Sequence, residues 1–262
     1  MRRGWVVLIV LILIVSISGC SGNDLAAKEY LLRALEYNQS VNDFQFTGEV
    51  DATNLRGTTW ELDNASIAFK GKAATNPFYL ESENRLITAI EENNLYVDIT
   101  ALGIDDSLYV NVPKVLRAMR PELDREYLRF TGKEESAEQT DESWSVKAGK
   151  LLAPLPADNF SYGKANLFSG LFSGASKIVR VTAKSLAGVG PFEQLSDVDV
   201  TFVFDRNDYV RQIVFSGKNI ETEISGEIEI SKINEGISSK RTPPTAERTR
   251  DYDEIVFPPS IN

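Results

Sequence analysis

Between residues 220 and 230 the isoleucines and glutamates take opposite parities. Ile220, Ile224, Ile228 and Ile230 fall with Thr222 and Gly226, while Glu221, Glu223, Glu227 and Glu229 fall with Ser225. A period of two fits a β-strand with one face buried and the other in water. The pattern recurs along the chain. Phe44, Phe46, Gly48, Val50 and Ala52 alternate with Gln45, Thr47, Glu49, Asp51 and Thr53, and Ala65, Ile67 and Phe69, then Leu95, Val97 and Ile99, repeat it. Strand-like runs also occupy 78–81, 86–90, 108–112, 178–183, 198–204 and 209–215. About nine or ten strands with few helical segments predict an antiparallel meander. Short polar links support it: Asp205-Arg206-Asn207-Asp208 reads as a hairpin turn, and Asn93-Asn94 and Ser216 to Asn219 do the same for their neighbours. Strand twist accumulates over so many strands, so the sheet should curl into a barrel or half-barrel.

Three stretches depart from this period. Over Asp24 to Tyr37 the residues Leu25, Leu31, Leu32, Ala34 and Leu35 fall near helical spacing, with Asp24 placed to cap the first turn and Asn38 to Asn42 as the exit. Pro113 to Tyr127, with Val115, Leu116, Met119, Leu123 and Tyr127, predicts a helix started at Pro113 and interrupted at Pro121. Phe160 to Ser176 sets Leu167, Phe168, Leu171 and Phe172 among glycines and serines, a composition that needs a hydrophobic partner surface. Gly132 to Ser143 reads as a solvated loop. Ser238 to Arg250 is polar and proline-bearing, and the tail from Tyr252 through Ile255, Val256 and Phe257 to Pro258 is expected to dock back on the body.

The N-terminus has the three parts of an export signal: Arg2 and Arg3, an apolar run from Trp5 to Ile17 broken only by Ser16, then small residues leading to Cys20. The run is shorter than the roughly 20 residues of a comfortable membrane span. Ile17-Ser18-Gly19-Cys20 resembles the lipobox of bacterial and archaeal lipoproteins, and the resemblance implies cleavage before Cys20 and a diacylglyceryl thioether on its sulfur. The other reading is an uncleaved N-terminal anchor with an incidental cysteine. In both, the rest of the chain sits outside the cytoplasm at a membrane surface. Residues 1–19 are thus expected to be the signal peptide, 20–23 a lipidated tether and 24–262 one domain. Two or three acyl chains, at about 0.8 kcal/mol per buried methylene, hold a protein firmly. Cys20 is the chain's only cysteine, so a lipidated Cys20 leaves no thiol for a disulfide, a metal or a nucleophile.

Charge narrows the function. The chain carries a net −10, and loss of Arg2 and Arg3 makes it −12, which is no footprint for nucleic acid. There is no histidine, which removes the usual general base, the Ser-His-Asp and Cys-His arrangements and the commonest zinc ligand. Carboxylate pairs remain, Asp105 with Asp106, Asp197 with Asp199 and Asp205 with Asp208, but each falls on a turn or on the wet face of a strand rather than across a cleft. No enzymatic activity, cofactor or metal is expected.

A lipobox, a short helix leading into the Phe44-x-Phe46-x-Gly48-x-Val50 strand, many alternating strands, the run Ser107-Leu108-Tyr109-Val110-Asn111-Val112-Pro113-Lys114-Val115-Leu116 and a late hairpin with Asp at its turn together resemble the LolA/LolB and LppX/LprG superfamily of envelope lipoproteins. The resemblance implies a mainly β, α+β fold, with a strongly curved antiparallel sheet forming an open half-barrel and a few helices covering its concave face. It implies acyl chains or whole lipids as ligand, with the helix at Pro113 to Tyr127 and the Leu167 to Phe172 segment as lid elements. The arginine by which LolA-type carriers receive a lipoprotein has no counterpart that can be placed here. The residues reach the same expectation independently, because a curved sheet with an apolar inner face suits alkyl chains. Phe44, Phe46, Phe69, Val97, Ile99, Leu167, Phe168, Leu171, Phe172, Phe202 and Phe204 are the candidates for its wall, and each could equally fill a solid core. Two functions follow: a lipid-binding or lipid-carrying lipoprotein tethered by Cys20 on the extracytoplasmic face of the membrane, or a non-catalytic envelope module with a solid core, binding a protein partner through its acidic outer face or a sheet edge.

Overall fold

The computed structural model describes residues 24–56, 61–75, 77–90, 93–131, 144–163, 175–185, 196–218, 222–237 and 240–254. Helix α1 covers 24–37 and ends in a 3-10 turn at Asn38–Ser40. Five strands follow: β1 (Asp43–Arg56), β2 (Glu61–Thr75), β3 (Phe78–Ile90), β4 (Asn93–Ile104) and β5 (Ser107–Asn111). Then come α2 (Lys114–Met119), β6 (Tyr127–Thr131), α3 (Trp144–Leu152), β7 (Phe160–Tyr162), β8 (Ala175–Ser185), β9 (Ser196–Asp205), β10 (Val210–Lys218), β11 (Glu223–Ser231) and β12 (Thr249–Asp251). All twelve strands belong to one sheet, ordered β12-β6-β5-β4-β3-β2-β1-β11-β10-β9-β8-β7. The fold class is the expected one: mainly β, on an open sheet whose end strands β12 and β7 do not pair, as a half-barrel requires. Its described pairings are antiparallel except β12 with β6, which run parallel.

The chain divides into two compact units. The first comprises Met1–Gln39 and Ser143–Asn219, the second Ser40–Glu142 and Ile220–Asn262.

In the first unit β9 lies between β8 and β10, and β7 pairs with β8. Buried side chains come from α1 (Ala27, Tyr30, Leu31, Ala34, Leu35) and from the strands (Phe160, Val179, Val181, Ala183, Val198, Phe202, Phe204, Val210). The helical residues recur at three- and four-residue spacing, so one stripe of α1 is buried. The Tyr30 ring meets Phe204 edge-on at 5.3 Å, and Phe202 and Phe204 stack at 6.4 Å.

The turn after β9 ties this packing together. Asp205 is buried; its Oδ1 accepts the backbone N–H groups of Asn207 (2.8 Å) and Tyr209 (3.1 Å), and Arg211 donates to Oδ2 at 2.7 Å. Asp208, at φ 61°, accepts the Tyr30 hydroxyl at 2.5 Å. Burial and this bond to a carboxylate both push the Tyr30 pKa far above its ordinary value. The buried Asn38 amide donates to the carbonyls of Ala34 (2.7 Å) and Asp208 (2.9 Å) and accepts the Val210 N–H at 3.1 Å. Asn38→Ala leaves these buried groups unpaired at about 1–3 kcal/mol each before relaxation. It is therefore expected to destabilise the first unit by about 2–3 kcal/mol, read as a lowered denaturant midpoint with unchanged slope. A change under about 0.5 kcal/mol would refute this role.

In the second unit β1 is hydrogen-bonded to β2 on one side and β11 on the other, and β3, β4, β5 and β6 continue from β2. The runs expected at 78–81 and 86–90 are one strand, β3. β6, β7 and β12, not expected from sequence, are strands of three to five residues, too short to establish a period. The helix expected over Pro113 to Tyr127 is only Lys114–Met119. Arg120, the residue before Pro121, is extended at φ −131° and ψ 90°, as the proline ring demands, and Tyr127 already belongs to β6. The segments 132–143 and 164–174, with Leu167, Phe168, Leu171 and Phe172, and the tail from Ile255 lie outside the described residues.

Candidate functional site

Directly paired residues of neighbouring strands share a face, so the register of the second unit defines its two surfaces. Gly48, Phe69, Asn84 and Ile99 lie in one row across β1 to β4, and Val50, Ile67, Leu86 and Val97 in the next. The row of Phe46, Gly71, Ser82, Ala101, Val110 and Leu128 extends through β6, with Ile230 of β11 at its other end. Phe44, Ala73, Leu80, Gly103, Leu108 and Phe130 form a fourth. Ile224 and Ile228 lie on this face too. It is apolar nearly throughout, and only partly withdrawn from water: Phe44, Phe46, Phe69 and Ile99 are half-buried, and Ile67 and Leu95 remain 41% and 39% exposed.

Rings rather than branched side chains cover its middle. The centroids of Phe44, Phe46 and Phe69 follow at 6.1 and 6.2 Å. A Cβ built on Gly48 would come within 2.5 Å of the Phe69 ring, and one on Gly71 within 2.6 Å of the Phe46 ring. Each phenylalanine therefore lies over the glycine paired with it, which lets the rings lie down along the sheet. The buried Thr88, which donates to the Asn64 carbonyl at 2.9 Å, and a bonded pair interrupt the surface: Asn84 donates to the Ser82 hydroxyl and to the Ile99 carbonyl, both at 3.1 Å. Sequence reasoning missed this pair because Ser82 and Asn84 sit in a stretch that reads as a break between two short strands.

The opposite face is charged. Lys70 pairs with Glu83 at 3.0 Å, Lys72 with Glu81 at 3.1 Å, Arg85 with Asp98 at 2.7 Å and Arg241 with Glu81 at 2.6 Å, while Glu223, Glu227 and Glu229 are exposed along β11. At one end the buried Tyr79 packs with Ala74 and Leu102, donates to Glu81 at 2.8 Å and accepts the Arg241 N–H at 2.9 Å. The stretch from 240 to 254, read from sequence as a polar run, is an arginine-rich strap. Arg248 chelates Glu126, Arg250 reaches Asp124, and Arg129 grips Asp251 through Nε and Nη2 at 2.5 and 2.7 Å. Tyr252 stacks on Phe130 at 4.7 Å. A depression of about 540 Å³ beside this strap is lined by Tyr109, Arg125, Arg129, Arg250, Asp124 and Asp251. It is too polar for alkyl chains.

The strap gives a pH dependence. Burial alone would raise the Glu81 pKa, but hydrogen bonds from Tyr79 and Lys72 and the nearby Arg241 outweigh it, and the pKa is lowered. Arg248 lowers Glu126 and Arg129 lowers Asp251, chiefly by hydrogen bonding. Groups depressed in the folded state bind fewer protons there than when unfolded, so their stabilisation is complete above the ordinary carboxylate pKa of about 4 and is lost as pH falls through and below it. Hydrogen exchange in 240–254 is expected to rise between pH 5 and 3 after correction for intrinsic rates. A pH-independent protection would contradict the assignment.

The other wall candidates among the described residues are buried. Val97 is buried on the apolar face, near Ile67 and Leu86. Phe202 and Phe204 belong to the first unit's packed core. The carboxylate pairs serve structure: Asp105 and Asp106 form the two-residue turn between β4 and β5, with Asp105 at φ 54°, Asp197 faces Lys218 at 3.6 Å, and Arg180 chelates Asp199. Asp205 and Asp208 were expected in a solvated turn. They instead secure β10 and α1.

No family model matches the sequence, and no curated protein does. Among solved structures, the chain aligns with LprF from Mycobacterium bovis at a TM-score of 0.47 and 11% identity, covering 84% of this chain and 98% of that one. It aligns with a DUF1329 family protein from Desulfovibrio piger at a TM-score of 0.24 and 12% identity, covering 82% and 95%. These values carry nothing about function. The mainly β fold on an open, largely antiparallel sheet that the sequence led one to expect is observed, and the reading of the site rests on its own residues.

Proposed function

We propose that this chain is a lipid-anchored protein of the extracytoplasmic membrane face, which binds acyl chains or lipid on the apolar face of its second unit. The observation that carries the reading is that face itself: strands β1 to β4 and β11 present phenylalanine, isoleucine, valine and leucine on one side, with Phe44, Phe46, Phe69, Ile67, Leu95 and Ile99 still partly exposed. Soluble surfaces rarely leave so much contiguous apolar area without a ligand or partner. The Ser82 and Asn84 pair supplies the few polar groups that fix a ligand's orientation in an otherwise apolar site. Cys20 supplies the tether. Binding of this kind needs no cofactor and no catalytic group.

The second reading, a non-catalytic module with a solid core, draws on the first unit, where Phe204 is fully buried against Tyr30, and on the exposed glutamates of β11. Native mass spectrometry with lipid extraction separates the two, on protein beginning at Ser21 and purified without detergent. A co-purifying lipid, or stoichiometric uptake of added phospholipid or fatty acid, supports the carrier. An apo mass that persists in excess lipid overturns it and favours the protein partner.

A further inference from the structure

We infer that the N-terminal end of α1, with the loop and strand bonded to it, is a membrane-contact surface whose occupant is the bilayer holding the anchor. The inference rests on the lipid-anchor reading of Cys20 and deepens it. Only Ser21, Gly22 and Asn23 separate Cys20 from α1. Four residue steps at full extension reach about 14 Å at most, so the first turn of α1 stays within that distance of the anchored cysteine whatever path the tether takes.

What is fixed to that turn is specific. Tyr162 of β7 donates its hydroxyl to the Ala26 carbonyl at 3.1 Å. Lys28 donates to the Leu155 carbonyl at 2.5 Å and lies over the Phe160 ring at 5.6 Å. The α1 start, the 153–156 loop and β7 therefore move as one piece. This piece exposes apolar groups: Leu25 is 50% and Tyr162 44% exposed, and Ala153, Pro154 and Pro156 are exposed between them in sequence. Tyrosine with its body in an apolar layer and its hydroxyl bonded is a typical interfacial side chain. Charge permits the approach. Residues 24–29 and 144–163 carry three acids (Asp24, Glu29, Asp158) and three bases (Lys28, Lys147, Lys150), whereas the chain as a whole carries −10. The acidic surplus that anionic headgroups would repel lies elsewhere.

The test uses the full lipidated chain in vesicles of phosphatidylcholine and phosphatidylglycerol at three to one, doped with lipid bearing a nitroxide on its acyl chain. With the Cys20 sulfur in thioether linkage, Leu25→Cys and Glu36→Cys each offer one thiol for a fluorophore. Both positions are exposed on the same side of α1, about 17 Å apart along its axis. Quenching at 25 at least fivefold above that at 36 is the expected result. Equal quenching, as for a helix lying flat, or none at either while the protein still floats with the vesicles, overturns the contact and leaves the anchor reading standing. An emission shift at 25 that needs no quencher and grows with protein density points to a second copy on this surface and also overturns it. Protein that does not float, with Cys20 at its unmodified mass, refutes the anchor reading and this inference together.

Discussion

Phe204→Ala is expected to destabilise the first unit by about 3–5 kcal/mol, the range for deleting a fully buried aromatic ring. Phe204 has no exposed surface and sits on β9, between β8 and β10, where its ring meets Tyr30 of α1 and stacks on Phe202. The lost ring removes apolar burial and leaves a cavity under the helix that β-strand backbone cannot collapse to fill. At about 2–4 °C per kcal/mol for a protein of this size the melting temperature should fall by roughly 10 °C. Amide exchange in α1 should accelerate together with that of β8 to β10. Phe204→Leu should cost less than half as much. The measurement also decides what the residue is for, because a ring lining an empty site could be removed at little cost. A loss under about 1 kcal/mol would return Phe204 to the list of ligand-wall residues.

Phe69→Asp is expected to do the opposite: abolish lipid uptake while leaving the protein folded. Phe69 is half-buried, so a carboxylate there stays hydrated in the free protein, and the cost is about 1–2 kcal/mol from the uncovered backbone at Gly48 and the lost contact with Phe46. Against an acyl chain the same carboxylate must be desolvated or protonated, a penalty of several kcal/mol, which is 100-fold or more in affinity. Phe46→Asp should behave alike, since the two rings are neighbours. Lys70→Ala, one residue along β2 and on the charged face, should bind lipid as the parent does. Uptake of a fluorescent fatty acid, with circular dichroism as the control for folding, gives the comparison. Undiminished binding by both Phe69→Asp and Phe46→Asp would remove this face as the site.

These two predictions separate residues that look alike in the sequence. Phe44 and Phe46 on β1, and Phe202 and Phe204 on β9, are the same Phe-x-Phe spacing in strands of the same alternation. The first pair stays partly open on its sheet, and the second is buried in the first unit, Phe204 against Tyr30 of α1. Nothing local distinguishes them, because what covers a strand is set by chain far from it. The helix over 24–37 and most of the strands were legible for the converse reason: backbone geometry alone imposes periods of 3.6 and 2, and the side chains of this sequence obey them. Besides helix α3 (Trp144–Leu152), which was not foreseen, the failures were of two kinds. Strands of three to five residues, such as β6, β7 and β12, hold too few positions to show a period. The helix after Pro113 was overextended because apolar spacing continued to Tyr127 after Pro121 had ended the hydrogen-bond ladder.

By itself, then, the sequence determined the alternation, the leading helix, the turns and the single cysteine four residues before α1, each of which is encoded by neighbours within one element. The tertiary structure decided the rest. The pairing of β1 with β11 and of β12 with β6 joins segments remote in the chain, and the register of those pairings places Phe46, Phe69, Ile67 and Ile99 on one surface with Ser82 and Asn84 among them. It also turned Asp205, Asp208 and Asn38 from an unremarkable polar turn and helix exit into the bonds that hold α1. Register and pairing depend on which strands meet, a choice made by the free energy of the whole chain, and no local pattern carries it.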